Sequence, residues 1–175
     1  LFRPQLDEQG LTALFQDMEM PLVPVLARME RNGVCLDTAA LQETSEKFTR
    51  LMEDLEKDIH ALAGTDFNIA SPKQVGEVLF DRLQIVAKPK KTKTGQYVTS
   101  EDVLESLRSK HPIVEKILEH RGVKKLLGTY VDALPQLINP QTGHIHTSFN
   151  QTITTTGRLS SSNPNLQNIP VRDAM

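Results

Sequence analysis

Apolar residues recur at helical spacing from Leu11 onward, with Leu22, Val25, Leu26 and Met29 on one stripe and Asn32 with Gly33 as a C-terminal stop, which predicts a helix over 11–32. Pro21 and Pro24 fall inside it and are expected to break or kink it. A longer helix is predicted over 38–62, capped by Asp37 and ended by Gly64, with Leu41, Phe48, Leu51, Leu55, Ile59 and Leu62 on one face and charges opposite. Ser71, Pro72 and Gln74 combine an N-cap, a proline at the first helical position and a capping-box partner, so a third helix should run to about Leu83. The run KPKKTKTG, from Lys88 to Gly95, has no periodic apolar residue and reads as an exposed loop or loose hairpin, the most mobile part of the chain. Thr99 and Asp102 resemble a capping box before a short helix containing Val103, Leu104 and Leu107. His111 and Pro112 open a long helix that carries Ile113, Ile117, Leu118, Leu126, Leu127, Tyr130, Val131 and Leu134 to near Pro135.

After Asn139, Pro140 and Gly143 the period changes: HIHTSFNQTITT alternates and is rich in β-branched residues, which argues for a strand or hairpin. SSSNPNLQNIP is rich in turn formers and is expected to be extended loop with short turns. The fold class is therefore mainly α-helical, with a short antiparallel β element toward the C-terminal end. A chain of 175 residues, 38% hydrophobic, can bury a core of its own. No apolar run reaches the roughly 18 residues of a membrane span, and the first residues lack the pattern of a signal peptide. The single cysteine, Cys35, cannot form an internal disulfide and reads as a packing residue, and a cytoplasmic location is the expectation.

The formal net charge of -2 conceals an uneven distribution. Leu1 to Ala87 carries 8 Lys and Arg against 15 Asp and Glu, Lys88 to Val131 carries 10 against 5, and Asp132 to Met175 carries 2 against 2. A polyanion should therefore meet the middle stretch rather than the acidic first half. From Ala133 to Val171 there is no carboxylate, Arg158 is the only Lys or Arg, and Thr, Ser, Asn and Gln abound. Such a surface offers neutral donors and repels no phosphate.

From Phe149 the chain reads FNQTITTTGRLSSSNPNLQNIPVR, which resembles the segment of bacterial family A DNA polymerases that enters the palm just upstream of the first catalytic motif. The preceding HPIVEKILEHRGVKKLLGTYVDALPQLINPQTGHIHTSFNQT resembles the family's thumb-to-palm run. MEMPLVPVLARMERNGVCLD resembles its first polymerase-domain helix, and FNIASPKQVGEVLF a thumb segment. The resemblance implies part of a multidomain right-hand fold with long antiparallel thumb helices. Residues 1–35 would be a palm-base helix after an upstream exonuclease-like domain, residues 36–130 the thumb, and residues 131–175 the start of the palm. It further implies primer-template double-stranded DNA as partner. Deoxynucleoside triphosphates and Mg2+ would be used by the parent polymerase, whose first aspartate motif, similar to DYSQIELR, and HDE motif would lie beyond Met175. No metal ligands and no catalytic residues are expected in this chain, and no extension of a primer by it alone. The competing expectation is a stand-alone helical DNA-binding module with no catalysis in any form of the protein.

Residue chemistry agrees with duplex binding. Every base pair presents acceptors in the minor groove, so a donor placed there contacts any correctly paired sequence, and a mispair displaces the acceptor. Arg158, Asn165, Gln167 and Asn168 are such donors, and the resemblance implies this role for Arg158, Asn165 and Asn168. Ser160, Ser161, Thr154, Thr155 and Thr156 could contact phosphate or sugar beside them; self-capped turns are the alternative reading of so polar a loop. Arg121 and Lys125, four apart, share a helix face with Gly128 and Thr129 one turn on, where a missing side chain would let another backbone approach. The resemblance places Arg121 and Lys125 among thumb residues near the duplex, and Lys88, Lys90, Lys91 and Lys93 at the thumb's tip. A merely solvated loop is the alternative for these lysines. His144 and His146 fall on one side of a strand but have no third metal ligand in evidence.

Overall fold

The computed structural model describes residues 2–170. They divide into two compact units, one made of the residues up to Thr38 together with those from Ala133 onward, the other of Ala39–Asp132.

In the second of these, α3 (Thr38–Ala63) buries Leu55 and Ile59 of its predicted stripe together with Ala63, while Leu62 is half-buried. Leu41, Phe48 and Leu51, nearer its start, are only half-buried. Ser71 caps α4 (Pro72–Gly76) as its spacing predicts, its hydroxyl accepting the Gln74 N–H at 3.4 Å. The reciprocal half of the capping box does not form. The Gln74 side-chain oxygen Oε1 instead accepts the Asn68 N–H at 2.7 Å, because the preceding turn has already brought that donor within reach. A π-helical stretch (Glu77–Arg82) continues α4 and buries Val78, Leu79 and Phe80. After a hairpin come α5 (Glu101–Glu105) and α6 (Pro112–Leu126), the latter prolonged by a second π-helical stretch (Leu127–Val131). His111 caps α6, its Nδ1 accepting the Ile113 N–H at 3.2 Å, with Pro112 at the first position, where no N–H is needed. Ile59, Val75, Leu79, Leu104, Ile113 and Ile117 are among the buried residues that form one core. Each such side chain contributes about 1.5–3 kcal/mol by leaving water.

The capping box expected at Thr99 is corrected by the structure. Ser100 is the N-cap of α5 and makes no side-chain cap bond, while Thr99 is buried and engaged by Arg121 from α6, a partner far away in sequence.

The other unit begins with α1 (Arg3–Glu8), then a π-helical stretch (Leu14–Glu19) that passes into α2 (Met20–Asn32). Pro21 and Pro24 do not break this helix. Pro21 lies in its first turn, and the wider coil just upstream pairs the Met20 N–H with the Phe15 carbonyl. Gly33 ends it at φ 70°, a left-handed value, and a Cβ there would lie 2.8 Å from the Ile145 carbonyl oxygen. Val34 and Ile145 exchange backbone hydrogen bonds of 2.8 and 2.9 Å at this point. A 3-10 turn (Leu134–Leu137) leads toward β1 (Ser148–Asn150), which pairs antiparallel with β2 (Ser160–Ser162) in the register Ser148 with Ser162, Phe149 with Ser161 and Asn150 with Ser160. The hairpin is thus shorter than its alternating run predicts, and its second strand is the serine triplet expected to be loop. Cys35 is exposed rather than packed.

Candidate nucleic-acid interface

Lys90, Lys91 and Lys93 sit on a hairpin closed by hydrogen bonds from Thr92 N–H to Gln96 O at 2.7 Å and from Val98 N–H to Lys90 O at 2.9 Å. Gly95 turns it at φ 82°. All three lysines and Lys88, just before the hairpin, are exposed. The Lys91 ammonium lies 4.6 Å from the centre of the Tyr97 ring, directly across the hairpin. A groove of about 570 Å³ opens between this hairpin and α6, lined in part by Thr92, Gln96, Ser100, Arg121, Lys124 and Lys125. Lys124, Gln96 and Tyr97 were not singled out in the sequence. A second lysine beside Lys125, and a lone aromatic after a turn glycine, were the available signals.

Arg121 and Lys125 differ in what the structure asks of them. The Arg121 guanidinium is half-buried and donates to both the carbonyl oxygen and the hydroxyl of Thr99. Burial lowers its pKa from the usual value and the nearby Glu101 partly opposes this, and as a guanidinium it stays protonated. Lys125 is exposed on the groove wall. Gly128 is exposed, and a Cβ built on it meets nothing within 4 Å among the described residues.

In the unit that carries the β hairpin, a polar loop presents Arg158. The Thr154 hydroxyl donates to the Arg158 carbonyl and closes a turn in which Gly157 has φ 73°. The Arg158 side chain is exposed and has no hydrogen bond or ion pair among the described residues. In the same loop, the buried Ser161 hydroxyl accepts the Leu166 N–H at 3.0 Å and donates to the Asn165 side-chain oxygen Oδ1 at 3.4 Å. That oxygen also accepts the Gln167 N–H at 3.0 Å, the turn that asparagine favours. Gln167 Nε2 in turn donates to the Leu159 carbonyl at 2.9 Å. The network therefore uses Ser161, Thr154 and Gln167 to shape the loop, whereas the amide nitrogen of Asn165 has no bond among the described residues. Asn168, Thr155 and Thr156 are exposed, and Ser160 is half-buried on β2. The peptide between Asn163 and Pro164 is cis.

His144 and His146 cap the end of α2: their Nδ1 atoms donate to the carbonyls of Asn32 and Glu30, each at 2.7 Å. His146 Nε2 accepts the Thr142 hydroxyl at 2.7 Å, so both of its ring nitrogens are engaged. Among the described residues no group of three His, Cys, Asp or Glu side chains could hold a metal ion. No helix among them is long and apolar enough to cross a membrane.

The sequence model of DNA polymerase family A matches residues 38–175. The chain is similar to the thermostable DNA polymerase I of Thermus thermophilus, 54% identical over 165 residues that make up 94% of this chain and 20% of the relative. It is also similar to the DNA polymerase I of Deinococcus radiodurans, 47% identical over 172 residues, 98% of this chain and 18% of the relative. Among solved structures it is similar to the POL domain of Pol1 from M. smegmatis in complex with DNA primer-template and dNTP. The TM-score is 0.82 at 42% identity, over 98% of this chain and 30% of that one. The chain spans about a fifth of the length of these curated relatives. A family match over most of the chain, with relatives near half identity along almost all of it, places it plainly: the chain belongs to DNA polymerase family A.

Proposed function

We propose that this chain is the duplex-gripping part of a template-directed DNA polymerase that serves replication and repair in the cytoplasm. Residues 36–130 act as its thumb, residues 131–175 as the start of its palm, and residues 1–35 as the helix at the palm's base. The observation that carries the reading is the likeness, at 42% identity, to a polymerase domain bound to primer-template DNA. Two surface features support it. Arg158 stands exposed on a loop whose own side chains hold it in shape, in a stretch with no carboxylate to repel phosphate. Lys124 and Lys125 line a groove that Thr92, Gln96 and Tyr97 of the lysine-bearing hairpin also line.

In this reading Arg158, Asn165 and Asn168 donate to minor-groove acceptors that every correct pair presents, giving grip without sequence preference. Lys88, Lys90, Lys91, Lys93, Lys125 and Arg121 meet backbone phosphates, while Thr155, Thr156 and Ser160 lie beside sugar and phosphate. Thr154, Ser161 and Gln167 act through the loop they hold. Two-metal nucleotidyl transfer needs carboxylates to hold two divalent ions about 4 Å apart. The residues described here do not fit a Mg2+ pair, so Mg2+ and the deoxynucleoside triphosphates belong to the rest of the parent polymerase, and no catalytic step is assigned to this chain. The test is titration of a fluorescent primer-template with the full chain at several salt concentrations. Weak binding that ignores sequence and falls steeply with salt is expected, with no incorporation above a buffer blank when Mg2+ and all four nucleotides are added. Binding that is absent, or independent of salt, would remove the reading.

A further inference from the structure

Tyr97 is an unusual residue to find beside a lysine-rich turn, and four separate contacts converge on it. Its ring lies 5.0 Å from that of Phe80, centre to centre, at 50°, so the buried side of the hairpin is keyed to the core. Its hydroxyl donates to the Asp81 carboxylate one residue further along the same helix. Its opposite partner across the hairpin is Lys91, whose ammonium rests 4.6 Å from the ring centre. The fourth contact is an omission. Gly76 is buried, and a Cβ there would lie 2.7 Å from the Tyr97 Cβ and 3.2 Å from its ring, so the helix has left out a side chain where the tyrosine docks. A glycine inside a helix is less favourable than alanine, and this docking explains its presence.

We propose that Tyr97 is a positioning residue: docked against Gly76, Phe80 and Asp81, it holds the hairpin at a fixed place on the α4 helix and directs Lys91, and with it Lys90 and Lys93, toward phosphate. The inference rests on the duplex-binding reading above. A lysine on a wandering loop neutralises phosphate only part of the time, because its ordering must be repeated at each encounter. Resting on an aromatic face, the Lys91 ammonium keeps its charge and its hydration on the outer side while its stem is already confined.

The experiment compares the full chain with Tyr97→Ala, Tyr97→Phe, Gly76→Ala and the triple variant Lys90→Gln, Lys91→Gln, Lys93→Gln. For each, the slope of log K against log salt is measured for a duplex, together with hydrogen exchange at the Thr92 and Val98 amides. Each phosphate neutralised contributes about 0.9 to that slope, so the triple variant should flatten it by up to about three units. Tyr97→Ala and Gly76→Ala retain every lysine, yet should flatten it by about one to two units and raise exchange at both amides at least tenfold. Tyr97→Phe keeps the ring under Lys91 and should stay near the parent slope. If the triple variant flattens the slope but Tyr97→Ala and Gly76→Ala do not, the positioning role is overturned while the phosphate reading survives. If the triple variant leaves the slope unchanged, the phosphate reading of these lysines fails, and with it their direction by Tyr97. Unchanged amide exchange in Tyr97→Ala would overturn the docking itself. A flattened slope with exchange unaltered in the α6 amides separates the local effect from general unfolding.

Discussion

His146 donates from Nδ1 to the carbonyl oxygen of Glu30 at 2.7 Å, while the carboxylate of Glu30 accepts the Phe149 N–H at 2.6 Å. One helical residue thus binds the returning chain through its backbone and its side chain, at the start of the strand that leads to Arg158. A hydrogen bond to a charged acceptor contributes about 1.5–3 kcal/mol. Glu30→Ala is expected to destabilise the chain by that amount and His146→Ala by about 1 kcal/mol, read as a lower urea midpoint at unchanged m. Midpoints equal to the parent's in both variants would mean that the latch contributes nothing.

How much of this was legible depended on how local the cause was. Ser71 with Pro72, and His111 with Pro112, announce helix starts because the cap and the donor it satisfies lie within three residues. Thr99 misleads for the opposite reason: its hydroxyl and carbonyl are claimed by Arg121, 22 residues away, so Ser100 takes the N-cap position. The π-helical stretches leave almost no trace in an apolar pattern, since one extra residue per turn moves a stripe only slightly. Ser160–Ser162 reads as loop because serine has little strand preference. It becomes a strand because Ser148–Asn150 offers an edge across a turn closed by Thr154. At the candidate interface, charge and donor type were visible, while the division between side chains that shape the loop and those left facing outward required the folded network.

Arg121 and Lys125 should separate in mutants. Arg121→Ala leaves the buried Thr99 carbonyl without its donor, so it is expected to lower stability by about 1–3 kcal/mol as well as weaken duplex binding. Lys125→Ala removes an exposed cation and is expected to change stability by less than about 0.5 kcal/mol while reducing the salt slope by about one. Thermal melts beside binding titrations check both, and an Arg121→Ala protein as stable as the parent would remove its structural role.

Two glycines, Gly122 and Gly128, lie on α6 and its continuation with open space where a Cβ would stand. Nothing among the described residues requires them to be glycine, so Gly122→Ala and Gly128→Ala should each stabilise by about 0.5–1 kcal/mol. If a duplex backbone comes close at Gly128, the alanine there should also weaken primer-template binding. Gains in stability for both, with unchanged affinity for Gly128→Ala, would show that no backbone approaches there.

Tyr97 gives a titration with a defined sign. The hydrogen bond it donates to Asp81, then burial, then the charge of Asp81 all hold its phenol above the ordinary tyrosine value of 10.0. A folded pKa above the unfolded one stabilises fully below the unfolded value, and that stabilisation is lost as pH rises through the folded value. With Tyr130→Phe as background, Tyr97 is the single phenol, since the chain has 2 tyrosines. Its phenolate absorbance should appear above the ordinary value and move down on Asp81→Asn. A midpoint indifferent to Asp81 would show that the bond is absent in solution.

Arg158 carries the sharpest prediction, because its carbonyl is fixed by Thr154 while its guanidinium is exposed and unbonded among the described residues. We hypothesise that in the parent polymerase this guanidinium bonds a minor-groove acceptor at the primer terminus, one that a correct pair presents and a mispair moves. Only the matched complex then has a bond to lose. A hydrogen bond to a charged group is worth about 1.5–3 kcal/mol, so Arg158→Ala should slow extension from matched termini by roughly ten- to a hundredfold and from mismatched termini much less. Because the side chain has no hydrogen bond or ion pair among the described residues, the melting temperature should change little. Removing the Thr154 hydroxyl with Thr154→Val should loosen the loop and slow matched extension by a smaller factor, since the donor remains but is less well placed. If Arg158 instead ties its loop to the surrounding domain, its removal lowers the melting temperature and slows both kinds of terminus equally. Extension rates on matched and mismatched primers, measured beside the melt, decide between the two, and equal slowing would end the minor-groove role.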